Sequence, residues 1–163
     1  MITKKYDFTG EVVDSLRRIV AARDFANVKS GDIGGWIGGE KNLSHDGNAW
    51  VSDEAKVYGY SLVYGNAKVY GDAWVSGKAQ VYGDALIAGR EDWLLVGPAK
   101  SSGWFTTAYR DEKLGVRVAC GCFSGTVREF SESIEKTHAG NPVHLQQYRL
   151  FCQLVASNFG VEA

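Results

Sequence analysis

The side chains with most chemical reach are few and scattered. Three histidines and three cysteines are present, and Cys120 and Cys122 stand two apart in a stretch, residues 115–122, that reads as a strand. Alternation would put both thiols on one face, where His138, His144 or Cys152 could complete a zinc site. A cysteine paired with His138 could instead serve as a nucleophile. The Cys-x-Cys spacing lacks the two Cys-x-x-Cys knuckles of a typical zinc module, so buried apolar thiols are the preferred reading, with no metal. Gly34, Gly35, Gly38 and Gly39 surround Trp36. A phosphate-cradling loop would need a helix directly after them, and none is predicted, so they read as tight corners. His45 sits beside Asp46 at an irregularity in the central repeat.

A second set of residues recurs by position. Trp50 and Trp74, and Tyr58, Tyr64, Tyr70 and Tyr82, fall at outward slots of that repeat, with Asn48, Asn66, Lys56 and Lys68 beside them. Broad aromatic patches are seldom left in water, so these side chains are expected to meet another subunit, the rest of the chain or a ligand. A cleft lined by Tyr, Trp, Asn and Lys can stack a nucleobase or a sugar. These ten residues are the candidate ligand-binding set.

The element that must position them is a six-residue repeat. From Gly47 the chain reads GNAWVS, DEAKVY, GYSLVY, GNAKVY, GDAWVS, GKAQVY, GDALIA. The fifth slot holds Val51, Val57, Val63, Val69, Val75, Val81 and Ile87; the third holds Ala or Ser throughout. A period of six fits neither 3.6 nor 3.5 residues per turn, and glycine at each repeat would cost a helix about 1 kcal/mol. A hairpin meander needs wider, less regular turns. The period fits a parallel β-helix in which each unit is a short strand and a corner, and three units close a coil of eighteen residues. Equivalent slots then stack, Val51 with Val69 and Ile87. Ile37 and Leu43 extend the pattern backwards if two residues bulge near His45 and Asp46, giving three coils with columns Ile37/Val57/Val75 and Leu43/Val63/Val81.

The flanks read as covers for the open ends. Residues 1–34 form an N-terminal cap, with a strand at 18–22 and a polar loop at 24–31; residues 35–89 form the β-helix; residues 90–163 form an α+β tail of three strands and two helices. The tail strands are expected at 92–96, 103–109 and 115–122. Thr126 and Glu129 have capping-box spacing ahead of one helix, and Asn141 with Pro142 opens the second.

Composition bounds the function. Lys plus Arg number 18 against 19 Asp plus Glu, a net charge of -1 that offers no long-range attraction to duplex nucleic acid. With 45% apolar residues the chain folds, and no apolar run reaches the roughly 20 residues that cross a bilayer. An odd number of cysteines and a start lacking a signal-peptide core point to the cytoplasm.

The repeat resembles the hexapeptide-repeat left-handed β-helix superfamily, whose founding members are trimeric acyl- and acetyltransferases. The likeness covers about residues 35–89. Upstream, RIVAARDF and VKSGDIGGWI look like uncharacterised bacterial and prophage proteins labelled as transferases, and GVRVACGCFSGTVREF is similar to tails of phage proteins. The resemblance implies the left hand, a homotrimer and phage ancestry. It also suggests His45 as general base of a coenzyme A-dependent acyltransferase using acetyl-coenzyme A. The chain departs from that pattern in lacking the long projecting loop and extra coils that build the coenzyme A groove. Whether it is an enzyme stays open. The preferred reading is a non-catalytic, self-associating protein of the host cytoplasm that needs no cofactor. It would bind a small ligand, such as a nucleotide signal, or a host protein at subunit seams, as in counter-defence. The alternatives are the acyltransferase and a structural scaffold.

Overall fold

The computed structural model describes residues 3–100 and 102–163. Met1 and Ile2, on which the readings of the cap and the N-terminus partly rest, and Ser101 of the tail lie outside the described residues. The fold is mainly β, with two helices and several small sheets that close no barrel. Two compact units are present, Met1–Arg90 and Glu91–Ala163.

The first unit opens with a hairpin. β1 (Tyr6–Val13) pairs antiparallel with β2 (Leu16–Ala21) through a turn in which Asp14 and Ser15 both take positive φ, and β2 pairs with β3 (Ile33–Ile37). Sequence reading anticipated only the second of these strands. β1 was missed because residues 9–13 are mostly exposed and its register with β2 slips between Phe8 and Val12, so no clean alternation marks it.

Then come two-residue strands, one per hexad: β4 (Trp50–Val51), β5 (Lys56–Val57), β6 (Leu62–Val63), β7 (Lys68–Val69), β8 (Trp74–Val75), β9 (Gln80–Val81) and β10 (Leu86–Ile87). The chain visits three sheets in rotation, and all pairing between these strands is parallel. Ile37 aligns with Val57 and Val75, Val51 with Val69 and Ile87, and Val63 with Val81, while Leu43 bridges to Val63. All nine aliphatic side chains are completely buried. Each is worth roughly 1.5–3 kcal/mol of transfer free energy before ordering costs. Glycine is needed at the corners for two reasons visible at Gly47: φ is +69°, and an added Cβ would lie 2.7 Å from the Gly65 carbonyl oxygen.

Gly34 and Gly35 do not form the corners expected of them. They lie inside β3, because a Cβ on Gly34 would meet Ile19 at 2.6 Å and Trp50 at 2.7 Å, and one on Gly35 the Ala55 carbonyl at 2.7 Å. Close approach, not chain reversal, requires glycine there.

The starting edge of the repeat is closed by three devices. Within the sheets, slot-four amides donate to the slot-three carbonyl of the next layer, as Trp50 does to Ala67 at 2.9 Å. The first layer has no predecessor, leaving acceptors unsatisfied. β2 covers β3 by antiparallel pairing; the Tyr6 hydroxyl donates to the Leu43 carbonyl at 2.8 Å; the Lys5 ammonium donates to the Ala49 carbonyl at 2.7 Å.

In the second unit, β11 (Trp93–Val96), β12 (Thr106–Asp111), β13 (Gly115–Cys120) and β14 (Phe123–Gly125) form one antiparallel sheet in that order. β14 joins the three strands anticipated. α1 (Val127–Thr137) starts with the Thr126/Glu129 capping box, and α2 (Pro142–Phe159) starts at Asn141, whose side chain accepts from the His144 amide. Val118, Phe130, Ile134, Phe151 and Val155 are among the core residues between sheet and helices. At the β12–β13 turn, the buried Asp111 carboxylate accepts from Arg117 Nε at 2.7 Å and from the Lys113 and Leu114 amides. Burial would raise its pKa, but the Arg117 hydrogen bond and the two amides outweigh that and hold it below the usual value. Among the described residues, no helix is long and apolar enough to cross a membrane.

Candidate functional site

The ten outward residues separate onto three faces of the repeat. Tyr64 and Tyr82 stack on each other, centroids 4.7 Å apart, on the β6–β9 face, and burial raises the Tyr64 pKa with a smaller push from Tyr82. Lys56, Tyr58 and Trp74 lie with Asp14 and Leu16 around a hollow of about 250 Å³. There the Trp74 ring already holds two cations, Arg90 at 3.8 Å and Lys56 at 4.9 Å from its centroid. Asn66 sits in a corner ladder, accepting from Asn48 and donating to Asp84, each at 3.2 Å.

Asn48, Trp50, Lys68 and Tyr70 come together. With Asn27, Val28, Ser52, Asp53 and Leu86 they line a cleft of about 350 Å³ over the outer face of β4, β7 and β10. Trp50, Lys68 and Leu86 form its floor because slot four points outward and these strands align in register. The 24–31 loop overhangs them. Phe25 and Val28 exchange backbone hydrogen bonds of 3.0 and 2.8 Å around a tight turn at Ala26 and Asn27, which places Asn27 at the tip. The loop is tied down by Asp24, which accepts from the Ser30 amide at 2.9 Å and from the Lys29 ammonium at 3.2 Å; these bonds lower its pKa, the Ser30 amide first. Phe25 meets Trp50 edge-on at 5.3 Å and fixes the indole.

Backbone strain collects on this rim. Among the described residues four non-glycine residues have positive φ; two make the hairpin tip, and the others, Ala26 (+45°) and Asp53 (+54°), flank the cleft. Asp53 stands in the slot that glycine fills in the other six units. One of its oxygens, Oδ2, accepts from the Gly71 amide at 3.0 Å.

Sequence reasoning missed Asn27, Val28, Ser52, Asp53 and Leu86. The break in the glycine pattern at Asp53 was a readable signal for one of them. Asn27 and Val28 reach the cleft from a segment whose sequence gives no register to the repeat.

The remaining candidates are held by the structure. His45 stacks on Tyr6 at 4.3 Å, and its Nδ1 accepts from the Lys5 amide at 3.2 Å. A neutral imidazole accepting at Nδ1 carries its proton on Nε2, and here Nε2 is buried without a partner among the described residues. The ring presents no lone pair to a substrate, and it serves the N-terminal closure. Cys122 lies in the β13–β14 turn, exposed and off the strand expected to carry it beside Cys120, because the chain reverses at Gly121 with φ +57°. Cys120 is half-buried and accepts from the Thr106 hydroxyl at 3.1 Å. Burial pushes the Cys152 thiol up to about 11, which leaves it protonated at neutral pH. His138 stacks on Tyr148 at 5.1 Å and meets His144 edge-on. Among the described residues, no three His, Cys, Asp or Glu side chains gather to hold a metal ion.

No family model matches the chain. A 52-residue stretch is 42% identical to an uncharacterised acetyltransferase, YdcK, of Escherichia coli K12. The match takes in 31% of this chain and 16% of that protein.

Proposed function

We propose that this chain is a non-catalytic, self-associating left-handed parallel β-helix protein that holds a small ligand in the cleft over β4, β7 and β10. In this reading residues 1–34 cap the β-helix of residues 35–89, and residues 90–163 form a separate tail. The observation that carries the proposal is the convergence of Asn48, Trp50, Lys68 and Tyr70, from two layers of one face, with an overhanging loop on a single cleft. Volumes of roughly 300–1,000 Å³ suit small molecules. Self-association is supported by aromatic surface left in solvent: Tyr60 is 76% exposed, and Tyr70 and Trp74 are each 37% exposed. A homotrimer, phage ancestry and a host-protein partner belong to the same proposal and rest on the resemblance alone; a cytoplasmic site of action belongs to it too and is supported by the odd number of cysteines.

Native mass spectrometry of the purified protein tests it. The expected result is a trimer that releases a small molecule on denaturation; a monomer carrying nothing contradicts it.

A second reading, acetyl transfer from acetyl-coenzyme A, is favoured by the similarity to YdcK. The hydrogen bonding of His45 argues against that residue as its base. Calorimetry with acetyl-coenzyme A separates the readings: saturable heat supports transfer chemistry, and no heat supports the binding protein.

A further inference from the structure

We infer that the cleft takes a neutral, hydroxyl-rich ring, the chemistry of a hexose; this rests on the cleft being a binding site. Trp50 lines the cleft, and its indole N–H, which has no acceptor among the described residues, is not sealed from solvent and can donate to a ligand there. The Asn27 amide, the Lys68 ammonium and the Tyr70 hydroxyl are likewise uncommitted. Two acceptors face them: Asn48 Oδ1, whose amide nitrogen is committed to Asn66, and Asp53 Oδ1, the oxygen not used by Gly71.

The balance of these groups selects the ligand. One ammonium and one carboxylate cancel, so a phosphate would find a single cation and meet the Asp53 charge. A hydroxyl both donates and accepts, which suits a wall where donors and acceptors are mixed. Val28, Leu86 and the ring of Tyr70 supply apolar surface for the C–H face of a saturated ring. Strain agrees: residues held at positive φ without being glycine cost of order 1–3 kcal/mol each and cluster at ligand sites, and Ala26 and Asp53 bracket this one.

Saturation-transfer NMR on the full chain tests the inference, with D-glucose, D-galactose, D-mannose and N-acetyl-D-glucosamine as separate probes and AMP as the anionic control. Transfer to the ring protons of at least one hexose is expected. It should weaken about tenfold in Asp53→Gly, the loss of one charge-assisted hydrogen bond. That variant installs the residue the repeat favours at a positive φ, so folding is retained. Asn27→Ala should weaken transfer likewise, and Trp74→Ala, on another face, should not. Transfer from AMP alone overturns the hexose assignment and leaves the binding cleft standing. Transfer from a hexose that survives both cleft variants overturns it too, by placing the sugar elsewhere. Silence from every probe overturns the assignment, and together with a ligand-free native mass it also overturns the proposed function.

Discussion

The repeat and the tail bury their apolar side chains in opposite ways. In the repeat, nine aliphatic residues from one slot make three columns, each side chain touching its equivalent in the next layer, and no large aromatic enters them. In the tail, the core is drawn from two strands and two helices, with Phe130 packed against Phe123, Tyr148 and Phe151 at centroid distances of 5.1–5.8 Å. The repeat uses its aromatics outside, where the ligand cleft is proposed; the tail uses them inside, where they stabilise. A core assembled by copying one small residue frees the large residues for the surface.

This contrast breaks most sharply in the columns. Val63→Asp buries a carboxylate with no partner, and the expected loss is more than about 4 kcal/mol, enough to unfold the first unit. Circular dichroism should show the first unit's share of the β signal lost while the sheet and helices of the tail persist; an undiminished β signal would mean that the columns are not the source of stability.

The tail's corresponding weak point is polar. Asp111→Asn should cost about 3 kcal/mol by leaving the Arg117 guanidinium without its counter-charge. Because the Asp111 pKa is lowered on folding, its contribution is complete above the ordinary carboxylate value near 3.8 and is lost as pH falls through the folded value. Urea titrations from pH 5 to about pH 2 should show an acid limb that the variant flattens.

The closure of the repeat titrates with the same sign at the alkaline end of the scale. Burial, with a smaller push from Arg23, lowers Lys5 from 10.5 to about 8. The folded state therefore releases a proton that the unfolded chain keeps, and stability of the first unit should rise between pH 8 and 10.5. Tyr6 opposes this from pH 10 upward, since burial lifts its hydroxyl well above the usual value and the unfolded chain ionises first. A rise toward pH 10 followed by a fall is expected, and Lys5→Met should abolish the rise while leaving the fall.

The smallest effect concerns the cleft rim. Ala26→Gly relieves a positive φ of +45° but adds freedom to the unfolded chain, so a gain within about 1 kcal/mol is expected from thermal melts. A loss would mean that the Ala26 methyl packs usefully.

Legibility followed the same division. The columns, the pairing of Val51 with Val69 and Ile87, and the stacking of Tyr64 on Tyr82 could all be read from a period of six, because each layer repeats its neighbour's physics. Capping chemistry gave the helix starts at Thr126 and Asn141. The hairpin strand β1, the interior positions of Gly34 and Gly35, the plug formed by Lys5, Tyr6 and His45, and the loop that carries Asn27 depend on contacts between segments remote in sequence. Only half of the cleft was therefore visible, the half built from the repeat itself.

The indole of Trp50 reports on the proposed cleft most directly. In a proton–nitrogen correlation spectrum titrated with the hexose that shows strongest transfer, the Trp50 Nε1–H signal should move while those of Trp36, Trp74, Trp93 and Trp104 stay in place. Movement of Trp74 with Trp50 unchanged would contradict the account.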